Sequence, residues 1–120
     1  MKILLIEDDL LLTKQYLRVL KGDGYEVMAT QHAIGAIDCI DANHPDVIVL
    51  DMLLSGSTAM SLLHELQSYD DLSRIPIIVV TNLADSLSLE TLKPYGVIKL
   101  LDKTTMLPDD ISAIIRAINL

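Results

Sequence analysis

Six residues in four separate stretches of the chain could form one reactive centre. Glu7, Asp8 and Asp9 follow the apolar run 3–6, Asp51 follows the run 47–50, Thr81 follows the run 77–80, and Lys103 comes two residues after the run 97–101. Two like charges about 4 Å apart repel by roughly 4 kcal/mol at an effective dielectric near 20. Acids gathered in one place must therefore be spread apart, protonated or neutralised by a bound cation. Hard oxygen ligands on a partly open site favour Mg2+. Asp51 directly after Val-Ile-Val-Leu stands where burial penalises a charge unless the charge is used. A hydroxyl and an ammonium beside three carboxylates are the groups that phosphoryl chemistry on an aspartate requires, because charge on the transferring oxygens must be met by metal, cation and hydrogen-bond donor. Taken singly, each residue has an ordinary explanation. Thr closes strands by β-propensity, Lys solubilises a surface, and acids stabilise the start of a helix, which is how Asp9 is read. The four positions together are harder to explain that way.

These residues need elements that bring them to one edge. Runs rich in Ile, Val and Leu at 3–6, 25–29, 47–50, 77–80 and 97–101 read as five strands. Two of them, VIVL and IIVV, are continuous rather than alternating, the pattern of strands covered on both faces of a parallel sheet. Helical stripes lie between them: Leu12, Tyr16, Val19 and Leu20; Ala33, Ala36, Ile37 and Ile40; Ala59, Leu62, Leu63 and Leu66; and Ile111, Ile114, Ile115 and Ile118. The segment from Asp85 to Lys93 has the poorest stripe, with Ala84, Leu87, Leu89 and Leu92. Gly22-Asp23-Gly24 and Pro94-Tyr95-Gly96 are stop signals. The expectation is an α/β fold, a doubly wound (βα)5 domain over residues 1–120. Its five-stranded parallel sheet has helices on both faces, and ligands sit beyond the strand C-termini.

Composition narrows the function. The chain has 120 residues, 51% of them hydrophobic, and a net charge of −8. That is one core and a surface that repels nucleic acid phosphates and anionic membranes. Cys39 is the single cysteine, so no internal disulfide forms and a reducing cytoplasm is expected. No apolar run approaches the ~18 residues of a membrane span. His32, His44 and His64 share no metal-ligand spacing and receive no role.

The chain resembles the response-regulator receiver domain of two-component signalling over its whole length. The separations of 43 residues from Asp8 to Asp51, 30 from Asp51 to Thr81 and 52 from Asp51 to Lys103 look like those typical of the family. The resemblance implies a flavodoxin-like fold with strand order 2-1-3-4-5. It also implies that Asp51 accepts phosphate from a sensor histidine kinase or a histidine phosphotransfer protein. Asp8 would bind Mg2+ directly, Glu7 would hold it through water, and the Leu53 carbonyl would complete the set. Thr81 would hydrogen-bond the phosphoryl group and Lys103 would pair with it, in autocatalytic phosphoryl transfer rather than ordinary multiple turnover.

Departures from the family bear on output more than on chemistry. Leu100 stands where the family usually has a switch aromatic, in a chain with no Phe or Trp. Thr104 replaces the usual Pro after the lysine, so a cis peptide is not expected there. Ser55 and Ala59 replace Pro and Gly while Gly56 is kept, Asn82 is bulkier than usual beside Thr81, and Leu53 and Leu83 imply slow hydrolysis of the acyl phosphate. The weak helix around 85–93 is the expected mover, with the fifth strand and last helix as partner surface and homodimerisation as one use of it. The basic stripe Lys14, Arg18 and Lys21 reads first as a solvated face and second as a contact for an acidic partner.

The competing class is a receiver-like interaction scaffold working without phosphate. It has no use for the acids, Thr81 and Lys103 together. An aspartyl-phosphate phosphohydrolase would want an acid where Leu53 stands, and a flavin mononucleotide carrier would want a phosphate loop where Glu-Asp-Asp stands.

Overall fold

A computed structural model describes residues 1–52, 59–82 and 87–118. Leu53, Ser55, Gly56 and Leu83 lie outside the described residues, and so does the start of the weak helical segment. In chain order the elements are β1 (Lys2–Ile6), α1 (Leu10–Gly22), β2 (Glu26–Thr30), α2 (Ala36–Asn43), β3 (Val47–Leu50), α3 (Ala59–Gln67), β4 (Ile77–Thr81), α4 (Leu89–Leu92), β5 (Val97–Asp102) and α5 (Asp110–Ala117). Short 3-10 turns at Leu72–Arg74 and Lys93–Tyr95 precede β4 and β5. The sheet is parallel with order β2-β1-β3-β4-β5, as the sequence led us to expect.

Every residue of β3 and β4 is buried, which is why their sequences run apolar without alternation. Side chains alternate across the sheet and sort the core into two layers. Leu4, Ile6, Ile48, Leu50, Ile77 and Val79 pack under Ala36 and Ile40 of α2, Leu62, Leu63 and Leu66 of α3, and Leu92 of α4. Ile3, Leu5, Val47, Val49, Ile78 and Val80 pack under Tyr16 and Leu20 of α1 and Ile111 and Ile115 of α5.

Asp9 has the helix-starting role read for it: its carboxylate accepts from Leu12 N at 3.0 Å as the N-cap of α1. Asp9→Ala is expected to cost about 1 kcal/mol in a urea melt, and an unchanged midpoint would contradict that role. The Gly22-Asp23-Gly24 stop operates as read, with Gly24 at φ +90 where a side chain would be strained.

Two helical expectations need correction. Ala33 is buried but precedes α2, which starts at Ala36 behind Gly35 in the left-handed region. The expected start of the fourth helix at Asp85 lies outside the described residues, and no continuous helix runs through Leu87 and Ser88. The helical turns start at Leu89 after an extended Ser88, and Leu92 is their one buried residue. With Leu89 only partly buried beside it, so short an apolar face gives a helix little to nucleate on. Ile98 stays 39% exposed on the edge strand β5, the leftover apolar surface expected of Val-Ile-Lys-Leu-Leu. No helix among the described residues is long and apolar enough to cross a membrane.

Candidate functional site

The acids meet because β1 and β3 are neighbours. Ile6 pairs with Leu50, so the residues that follow, Glu7 and Asp51, leave the sheet side by side, and Asp51 N donates to the Ile6 carbonyl at 3.0 Å. Glu7 N is tied in turn to the Thr30 carbonyl at 3.1 Å. Glu7 and Asp51 are buried and Asp8 is half-buried. One carboxylate oxygen from each of the three lies within 4.8 Å of the others.

Lys103 arrives from the far side of β4. Its amide donates to the Thr81 carbonyl at 3.1 Å, and its Nζ lies 2.8 Å from both Asp51 Oδ2 and Glu7 Oε2. Thr81 is fully buried at the end of β4. The structure therefore brings Glu7, Asp8, Asp51, Thr81 and Lys103 to one edge, while Leu53 falls outside the described residues. Asn82 is exposed beside Thr81, and Leu100 packs into the layer under α2, α3 and α4 rather than lining the cluster.

Four more residues shape this edge. Thr13 Oγ1 donates to the Asp9 carbonyl at 2.8 Å and braces the acidic turn. Tyr16 is buried, and burial pushes its phenol up to about 12, with Lys103 opposing and the charges of Glu7 and Asp51 reinforcing the shift. Its place in the α1 stripe gave no sign of this proximity. Asp102 Oδ1 accepts from Thr104 Oγ1 at 2.7 Å and Thr104 N at 2.9 Å, and these bonds hold its carboxyl below the usual range. The signal for that turn was present as Asp-Lys-Thr.

The centre is electrostatically tense. Burial disfavours the Lys103 ammonium, but its hydrogen bonds to Asp51 and Glu7 and their charges outweigh that and raise its pKa. One ammonium against three carboxylates leaves two negative charges, which a divalent cation would cancel, and the donors are hard oxygens on a partly open edge. The residues present fit Mg2+.

Glu7 carries the tension in a measurable form. Burial above all lifts its pKa from 4.5 to about 7; Lys103 pulls down and the Asp51 charge pushes up. A carboxyl that keeps its proton more readily when folded stabilises the fold fully below its unfolded pKa and loses that contribution as pH rises through its folded pKa. Metal-free protein is expected to lose roughly 2–3 kcal/mol of unfolding free energy from this group between about pH 5 and 8. Urea melts would read the slope. Glu7→Gln should flatten it, and a wild-type profile without slope would contradict this account.

Residues 3–116 match the family described as "Response regulator receiver domain". The polar-differentiation response regulator DivK of Brucella ovis is 27% identical over 112 residues, covering 93% of this chain and 91% of that protein. Among solved structures, the receiver domain of sensor histidine kinase PA1611 from Pseudomonas aeruginosa, described with a magnesium ion coordinated in its active site cleft, superposes with TM-score 0.82 at 24% identity. It covers 96% of this chain and 93% of that one. A sensor protein from Polaromonas sp. JS666 superposes with TM-score 0.85 at 21% identity, over 96% and 92% of the two chains. With the match spanning nearly the whole sequence and the fold agreeing strand for strand, the chain belongs to the response regulator receiver domain family.

Proposed function

We propose that this chain is a phosphoacceptor switch in which Asp51 takes the phosphoryl group from a phosphohistidine of a sensor histidine kinase or phosphotransfer protein in the cytoplasm. An Asp51 carboxylate oxygen attacks phosphorus, the P–N bond to the donor imidazole breaks, and an acyl phosphate forms. Asp8, Asp51 and the Leu53 carbonyl would hold Mg2+, with Glu7 acting through water. The ion supplies positive charge to oxygens that become more negative as the bond changes. Thr81 donates its hydroxyl to the phosphoryl group, and Lys103 moves from shared pairing with Glu7 and Asp51 to pairing with the new oxygens.

The observation that carries this reading is the Lys103 ammonium at 2.8 Å from Asp51 Oδ2 and from Glu7 Oε2, on the edge that Asp8 and Thr81 share. The phosphorylated side chain adds charge and acceptor oxygens beside Thr81 and Lys103. With Leu92 its one buried residue, α4 is the element most readily shifted by a few kcal/mol.

The test is incubation with Mg2+ and acetyl phosphate, followed by intact mass and peptide mapping. One phosphoryl group should appear on the peptide holding Asp51 and should need Mg2+. A chain that gains none overturns the switch and leaves the phosphate-independent scaffold. The PA1611 receiver domain, with its coordinated magnesium, supports the choice of ion.

A further inference from the structure

Lys103 can serve Asp51 only if its long, flexible stem leaves the backbone in the right direction. On its N-terminal side the direction is set by the sheet: Thr81 pairs with Asp102, and Lys103 N extends the ladder to the Thr81 carbonyl at 3.1 Å. On its C-terminal side the chain has left the sheet, and Thr104 cannot restrict the backbone as a proline ring would. A closed set of hydrogen bonds stands there instead. Asp102 Oδ1 accepts from Thr104 N at 2.9 Å and from Thr104 Oγ1 at 2.7 Å. The Asp102 carbonyl accepts from Thr105 N at 3.2 Å and from Thr105 Oγ1 at 3.3 Å. Every one of these bonds spans Lys103. The Lys103 ammonium itself lies 2.8 Å from acceptors on Glu7 and Asp51, so Asp102 acts on the lysine through the backbone.

We propose that Asp102 and Thr104 are positioning residues, a side-chain clamp across Lys103 that aims its ammonium at Asp51 and at the phosphoryl group formed there. The proposal rests on the phosphoacceptor reading above for its second half only. The acceptor oxygen matters in this clamp and the charge does not, so Asp102→Asn and Thr104→Ser should preserve it while Asp102→Ala and Thr104→Ala break it.

The experiment uses the full chain and two readouts. The first is the Lys103 ammonium signal in nitrogen-detected NMR of metal-free protein, assigned by its loss in Lys103→Met. Its hydrogens should exchange about tenfold faster in Asp102→Ala and Thr104→Ala, as expected when a charge-assisted bond is loosened, and at the wild-type rate in Asp102→Asn and Thr104→Ser. The second is the rate of phosphorylation by acetyl phosphate with saturating Mg2+. It should fall about tenfold in the two alanine variants, the scale of a displaced positioning group, and return in the conservative pair. Asp102→Ala should cost nothing further on top of Lys103→Met, because its effect runs through that lysine. A wild-type ammonium signal and rate in Asp102→Ala, or a loss that adds to that of Lys103→Met, overturns the clamp. If wild-type protein takes no phosphoryl group, the phosphoacceptor reading falls, and the ammonium signal alone decides whether the clamp holds Lys103.

Discussion

Asp51→Asn is expected to abolish phosphoryl incorporation from acetyl phosphate, a loss of at least about 10³-fold, while the protein stays folded. The amide is nearly the same shape as the carboxylate, and the backbone bond from Asp51 N to the Ile6 carbonyl does not involve the altered group. What disappears is the oxygen proposed as nucleophile and one of the three carboxylates of the cluster. Two secondary effects follow from losing that carboxylate. Glu7 is pushed up partly by Asp51, so its carboxyl should titrate lower in the variant, measurable by carboxyl-carbon NMR. Mg2+ should bind more weakly, with two carboxylates left at the site, measurable by calorimetry. An Asp51→Asn variant that still gains a phosphoryl group at the wild-type rate would move the acceptor role to Asp8 or Glu7. Unchanged Glu7 titration would mean that the two carboxylates do not share a cavity in solution.

The second large effect belongs to Lys103→Met. Lys103 is the cation that the structure places against Glu7 and Asp51, and both acids are buried. Removing one partner of a buried ion pair costs about 3–5 kcal/mol because the other charge stays desolvated. Glu7 softens this loss. Its pKa near 7 lets it take up a proton, so at pH 6 part of the penalty is avoided and at pH 8 little of it is. We expect metal-free Lys103→Met to lose roughly 3 kcal/mol at pH 8 and clearly less at pH 6, read from urea midpoints. Mg2+ should recover most of that loss, and its affinity should rise relative to wild type, because ammonium and metal compete for the same oxygens. A midpoint that ignores both pH and Mg2+ would show that Lys103 contributes nothing to holding the acids together.

How much of this was legible along the chain depends on how local the signal was. Val-Ile-Val-Leu and Ile-Ile-Val-Val announce strands covered on both faces, since every residue in them must be apolar, and the observed β3 and β4 agree to within a residue. Asp9 as a helix start and Gly24 as a stop are equally local, because each satisfies backbone groups within a few positions of itself. The fourth helix was misread in its extent for the opposite reason. Leu87, Leu89 and Leu92 all reach the core, Leu92 buried and the other two partly buried, but the extended Ser88 separates Leu87 from the helical turns, so apolar spacing alone did not make one continuous helix.

The site divides along the same line. Residue type and strand-end position identified Glu7, Asp8, Asp51, Thr81 and Lys103 as a set, and the family resemblance supplied their separations. Nothing local pointed to Tyr16, which shares an apolar stripe with Leu20 yet feels the charges of three site residues. Nor was the pairing of Lys103 with Glu7 foreseeable, since the lysine was expected to meet the phosphoryl group and the two residues stand 96 positions apart.

What the sequence by itself determined was the alternation of strands and helices, the caps between them and the presence of acids, a hydroxyl and an amine at strand ends, all of which arise from interactions a few residues long. The family resemblance added the strand order that puts β1 beside β3, and only the tertiary structure decided that the ammonium stands between two buried carboxylates and that Tyr16 feels their charges. Those outcomes depend on which strand packs against which, and strand order is selected by burying two helical layers at once rather than by any single segment's preference.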